Sequence, residues 1–295
     1  MRHKTNNNEN MLLREIAKNI YQVQAENGGK FPYSFSFLLK GKKNILLDAG
    51  AGKTNLEKIK GEVGIDLIII SHTHGDHISS LEALAGIPCL VPEMQCESVR
   101  DINALGRRFI QNDEKALTVW KHFMVSTLGV RAFSPSGTYN EGDVFKTGEH
   151  EIVALSTPGH TVDHFCFFEG RTRTLFSFDI DLTSFGPWYG HEESDIDSFI
   201  SSIRRIENIR PAILVSSHVP PLSDGISSGL TGYEEQIYKR DERIKTLSDA
   251  GLSLAEMLEK SPIYGGHPHI PELLIYFEKV MIEKHLKRLG LNLPK

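Results

Sequence analysis

The chain has 295 residues, 40% of them hydrophobic, enough to bury a sizeable core in one large domain or two small ones. Its net charge is −5 with histidine neutral, so no basic excess draws it to nucleic acid by charge alone. Three cysteines, Cys89, Cys96 and Cys166, are too few and too scattered for a disulfide framework or a thiolate metal site, and no apolar run is long enough to span a membrane.

The opening MRHKTNNNEN has no apolar stretch of the secretory kind. Residues 1–10 therefore read as a polar tail, and the expected location is the cytoplasm. A main domain is expected over residues 11–230, with a helical extension over 231–295 packed on it. YSFSFLLKGKKNILLDAG predicts two strands joined by the turn Gly41-Lys42-Lys43-Asn44. IDLIIIS, residues 65–71, predicts a strand covered on both faces. ISSLEALAG, residues 78–86, has its apolar residues at helical spacing and ends on glycine, so it predicts a helix. IPCLVP predicts another strand, and residues 94–135 a helical insertion. Strands return at 151–156, 164–170, 173–179 and 212–217, with an amphipathic helix DIDSFISSIRRIENI before the last. From Tyr233 the chain is mostly helical. Two batches of strands with helices outside make a layered α/β or α+β domain.

NILLDAGAGKT resembles a phosphate-binding loop, but Leu47 stands where the first glycine of G-x-x-x-x-G-K-[ST] is needed, and the next residue is Asp48. A carboxylate there would repel phosphate, so the stretch reads as a strand, a Gly-Ala-Gly turn and a helix capped near Thr54 or Asn55.

The strongest chemical signal is SHTHGDH, residues 71–77, directly after an apolar strand. At a strand end, positions i and i+2 face the same way, so His72 and His74 can share one ion. The turn that follows aims Asp76 and His77 at a second point nearby. Imidazole nitrogen and carboxylate oxygen suit Zn²⁺, Fe and Mn²⁺. Three more strand ends offer His160, Asp179 and His218, each an ordinary polar residue if taken alone. Asp181 competes with Asp179 for the same role.

The ordered set Asp48, His72-x-His74-x-Asp76-His77, His160, Asp179 and His218 resembles the metallo-β-lactamase superfamily, over about residues 20–220. The resemblance implies a four-layer αββα sandwich with a metal site at one edge of its two sheets. It implies His72, His74 and His160 for one ion, Asp76, His77 and His218 for a second, and Asp179 between them. Asp48 becomes a carboxylate that holds the histidine loop and fixes a ligand tautomer. The superfamily usually has Gly where Phe178 stands. The implied cofactor is a pair of divalent ions, zinc ahead of iron or manganese. A water between them loses a proton near neutral pH and attacks a small ester, thioester or lactone, with Asp76 orienting it or passing a proton to the leaving group.

Trp188, Tyr189 and His191, in a loop soon after Asp179, are candidates for the substrate pocket. His164 is read as a core or supporting residue, His285 as a surface residue, and His267 and His269 as part of a flexible Pro/Gly loop. The rival reading is a one-iron persulfide dioxygenase using His74, His160 and Asp179. A nuclease or other phosphodiesterase fits less well, although the insertion carries Arg100, Arg107, Arg108, Lys115 and Lys121. The expected partner is a small-molecule substrate, without nucleic acid or membrane, and with a homo-oligomer left open.

Overall fold

The computed structural model describes residues 12–267 and 270–291, so the expected tail over 1–10 and His269 lie outside the described residues. Strands β1 (Leu13–Ala17), β2 (Ile20–Val23), β3 (Ser36–Leu39), β4 (Ile45–Leu47), β5 (Leu67–Ile69), β6 (Cys89–Pro92) and β7 (Gly137–Tyr139) form one sheet in that spatial order. It begins as an antiparallel meander and turns parallel from β4 onward. Strands β8 (Val144–Lys146), β9 (Glu151–Ser156), β10 (Phe165–Glu169), β11 (Thr174–Phe178) and β12 (Ile213–Ser216) form the second sheet, with only β11–β12 parallel.

The sheets pack face to face. Phe37 meets Phe176 and Phe178 edge-on across the gap, at 5.4 and 6.0 Å between ring centroids. Helix α1 (Lys53–Glu62) lays Leu56 and Ile59 on the first sheet's side of the core. Helix α5 (Ile196–Ile209) presents Ile196, Phe199, Ile200, Ile203 and Ile206 to Cys166, Leu175 and Leu214 of the second sheet. Helix α6 (Ile226–Asp249) packs beside α5 in the same layer. The result is the αββα sandwich, and the domain boundary expected at 230 falls inside α6.

At one edge the two sheets are tied by Phe165 N–H to Ser71 O (3.1 Å) and Phe35 N–H to Ser217 O (2.8 Å). The loops carrying the candidate ligands leave from this edge, after β5, β9, β11 and β12.

Some expectations need correction. Residues 78–86 are not one helix: α2 (Gly75–Ile78) is followed by a separate 3-10 turn, Leu81–Leu84. Ala49 is the cause, because its N–H takes His77 O and its carbonyl takes Ser80 N–H, which diverts both groups from a helical ladder. Helix α1 starts at Lys53 behind Gly52, which sits at φ 95, rather than behind Thr54 or Asn55. Strands β1, β2, β7 and β8 were not legible from sequence. The insertion contains α3 (Ile102–Phe109), α4 (Glu114–His122) and a π turn, Phe123–Thr127. Helices α7 (Leu254–Lys260) and α8 (Pro271–Arg288) complete the chain, and α8 packs on α4 as well as on α6 and α7.

Candidate metal centre

Strand β4 leads directly into Asp48, which turns at φ 59 and is fully buried. Its carboxylate accepts Ser71 N–H (2.6 Å), Ser71 Oγ–H (2.7 Å) and His77 Nδ1–H (2.6 Å). One side chain thus pins both ends of the SHTHGDH turn. Burial lifts the Asp48 carboxyl above its ordinary value, although His77 and Ser71 pull the other way.

The turn delivers two clusters. Ligand atoms of His72, His74, His160 and Asp179 lie within 4.8 Å of one another, and so do those of Asp76, His77 and His218. Asp179 faces both. Its Oδ2 lies 3.1 Å from His160 Nε2 and 3.6 Å from His72 Nε2. Its Oδ1 lies 3.1 Å from His77 Nε2 and 3.8 Å from His218 Nε2. Asp76 Oδ2 lies 3.4 Å from His218 Nε2 and 3.7 Å from His77 Nε2.

Outer hydrogen bonds assign the tautomers. His72 Nδ1 donates to Ser71 Oγ (3.0 Å), His160 Nδ1 to Trp188 O (2.8 Å) and His218 Nδ1 to Gly29 O (2.8 Å). Each leaves Nε2 as the inward lone pair. His74 is reversed: Nε2 donates to His191 Nδ1 (2.9 Å) and Nδ1 points inward, 2.8 Å from His160 Nε2. His72 Nε2, His77 Nε2 and Asp179 Oδ1 are buried without a hydrogen-bond partner. Unpartnered buried polar atoms converging at such distances are costly unless a cation lies between them, so this donor set fits metal ions.

Burial first, then the charge a neighbouring His77 or His160 would carry, holds His72 and His74 well below the ordinary imidazole value, neutral and ready to ligate. Burial likewise opposes charge on His77 and His218, but the carboxylates around them outweigh it, and His218 rises to about 9. Asp179 is driven well below the ordinary carboxylate range, its burial outweighed by His77, His72 and His160.

The sequence model of the metallo-beta-lactamase superfamily matches residues 29–218. The chain belongs to the metallo-β-lactamase superfamily. It is 22% identical to a "Beta-lactamase-like protein 2 homolog" of Caenorhabditis elegans, over 87% of this chain and 80% of that protein. It is also 22% identical to an atrochrysone carboxyl ACP thioesterase of Claviceps purpurea, over 72% of this chain but only 60% of that protein's length. The crystal structure of a metallo-β-lactamase family protein from Thermus thermophilus shares the fold with TM-score 0.68 at 20% identity, covering 94% of this chain and 95% of that one.

Three other residues singled out in the sequence fall around these clusters. Asp181 stands outside both, its Oδ1 accepting Thr183 N–H and Oγ1–H. Phe178 adopts φ 47, a left-handed conformation that glycine holds without cost, and is fully buried. His164 is buried beside His72, and its Nε2 accepts Asp179 N–H (3.3 Å). Burial and then His160 push it down to about 3.

The loop candidates divide. Trp188 and His191 line the cavity in front of the site. Tyr189 points away, fully buried, and donates to His285 Nε2 (2.7 Å). His285 is therefore not a surface residue: it is fully buried, and its Nδ1 donates to Asp241 Oδ1 (2.6 Å). His267 is not loose either, because its Nε2 donates to the buried Glu278 carboxylate (2.5 Å).

Sequence reasoning missed Arg108 as a structural tie. It donates to Thr73 Oγ1 (2.6 Å), Asp163 Oδ1 (3.0 Å) and, through two nitrogens, Glu193 (2.9 and 2.7 Å). It thereby binds the insertion to both histidine loops. Arg100 and Arg107 are paired with Glu97 and Glu114, and Lys121 donates to Asn103. These cations are spent on internal contacts.

Proposed function

We propose that the chain is a metal-dependent hydrolase of a small ester, thioester or lactone, holding two divalent ions, zinc ahead of iron or manganese. The carrying observation is the division of the two Asp179 oxygens between the two ligand clusters. In this reading His72, His74 and His160 hold one ion, Asp76, His77 and His218 the other, and Asp179 spans both. Ions bound there would acidify a water and polarise the substrate carbonyl.

The chain's own residues do the rest. Asp76 lines the cavity and is within 3.7 Å of His77, so its carboxylate orients the attacking water and takes up its proton. The water oxygen bonds to the carbonyl carbon, the C–O or C–S bond breaks, and Asp76 returns the proton to the leaving alkoxide or thiolate. The acid product departs as carboxylate, its remaining proton released to solvent. Trp188 O and His191 keep His160 and His74 aimed inward throughout. The thioesterase named among the relatives supports this class of reaction.

His74→Ala is expected to lose bound metal and hydrolysis together. Undiminished hydrolysis in that variant would sink the proposal. The one-iron dioxygenase reading requires His74, His160 and Asp179 only. The complete Asp76–His77–His218 cluster favours the hydrolase.

A further inference from the structure

A cavity of about 300 Å³ opens in front of the ligand clusters. Its walls come from segments that lie far apart in sequence. Trp120, Phe123 and Met124 form one side, from α4 and its π turn, and Leu273, Leu274 and Phe277 the other, from α8. Phe185, Trp188 and Tyr264 close the end, and Phe31, 58% exposed, stacks on Phe123 at 5.9 Å. Two polar groups of this wall are already satisfied: Trp188 Nε1–H donates to Tyr264 Oη (2.7 Å), and Tyr233 Oη–H to Asp179 O (3.2 Å).

The charged lining is entirely acidic or imidazole. Asp76, Asp179 and Asp181 are present, and among the described residues no lysine or arginine lines the cavity. The cations behind its wall are turned away: Arg240 donates to Pro187 O and Phe185 O, and Lys284 to His191 O. An acyl group carrying its own carboxylate, phosphate or sulfate would enter without a side-chain counter-charge and would lose its hydration. An apolar group would gain by leaving water.

We propose, resting on the hydrolase reading, that the substrate is an ester or thioester whose acyl group is uncharged and apolar, and that the α4–α8 cavity holds it. At about 30 Å³ for each methylene-sized group, the space takes on the order of ten carbons. Each buried methylene is worth about fourfold in binding, so lengthening acetyl to hexanoyl raises kcat/KM on the order of 100-fold.

The test is hydrolysis of N-acetylcysteamine thioesters bearing acetyl, hexanoyl, decanoyl and succinyl groups by the zinc-loaded full chain. Binding of the free acids acetate, hexanoate, decanoate and succinate is measured in parallel by calorimetry. A steep rise from acetyl to hexanoyl, with succinyl no better than acetyl, is the expected result. Leu274→Glu, and Leu274→Ala should the former fail to fold, are expected to shrink the hexanoyl-to-acetyl ratio several-fold. Equal or better turnover of acetyl or succinyl would overturn the inference and leave the hydrolase reading intact. If neither these thioesters nor the matching p-nitrophenyl esters and lactones of the same chain lengths are turned over, the hydrolase reading fails. The acid series then decides the cavity: affinity climbing with chain length supports it, and flat affinity overturns it.

Discussion

His74 owes its inward-facing Nδ1 to one acceptor, His191 Nδ1, which is itself held by stacking on Phe109 at 4.0 Å and 19°. Removing that acceptor frees the ring to flip. His191→Leu is expected to weaken metal binding by about 10- to 100-fold in a chelator competition. His191→Asn, which keeps an acceptor, should lose clearly less; equal affinity in all three proteins would show that His191 does not orient His74. The candidate ligands were legible because four of them lie within SHTHGDH and the others end apolar strands. Asp48, which supports them, was legible with them; the buried Tyr189–His285–Asp241 chain was not. Tyr189, Asp241 and His285 meet only after α6 and α8 have packed, across separations of 96 and 44 positions. A histidine at that distance from its partners carries no local pattern.

Arg108 shows how an insertion that looks peripheral in sequence supports the site. Asp163 is fully buried, and Arg108 and Thr73 more than offset its burial, holding its carboxyl below the ordinary value of 3.8. Arg108→Met strands Asp163 and Glu193 without a counter-charge and is expected to cost about 3–5 kcal/mol, read as a lower denaturant midpoint at unchanged slope. Because the folded value of Asp163 lies below the unfolded one, its contribution is whole above pH 3.8 and is lost as pH falls through the folded value. Asp163→Asn should therefore flatten the acid limb of a stability–pH curve; an unchanged limb would show that this pair does not contribute. Gly159 makes a similar point for β9 and α5. It sits at φ 134, and a Cβ there would come within 2.3 Å of the Phe199 backbone. Gly159→Ala is expected to displace the His160 loop and lower the thermal midpoint. Elements with a clear apolar period were legible, β3, β4 and α5 among them. Residues 78–86 were misread because the backbone of Ala49, remote in sequence, takes over their hydrogen bonds.

At the scale of the molecule, the sandwich provides the ligand edge, while the insertion and α8 enclose the space in front of it. The αββα architecture was implied by the family resemblance that the ordered motifs carry. The apolar character of the cavity was not, because its walls are drawn from segments more than 200 positions apart. Metal binding is coupled to protons in this arrangement. In the metal-free protein the carboxylates around His218 and His77 favour their protonated forms against burial, His218 rising to about 9. Metal uptake at pH 7 is expected to release protons from these rings, so calorimetric heats should change with the buffer's ionisation enthalpy. Heats independent of buffer would contradict that assignment. The most direct measurement is elemental analysis of the protein purified without added metal, repeated after equilibration with zinc. Two divalent ions per chain is the predicted result. A single iron would assign the site to oxygen chemistry, and a chain that takes up no metal even from excess zinc would contradict the account at its centre.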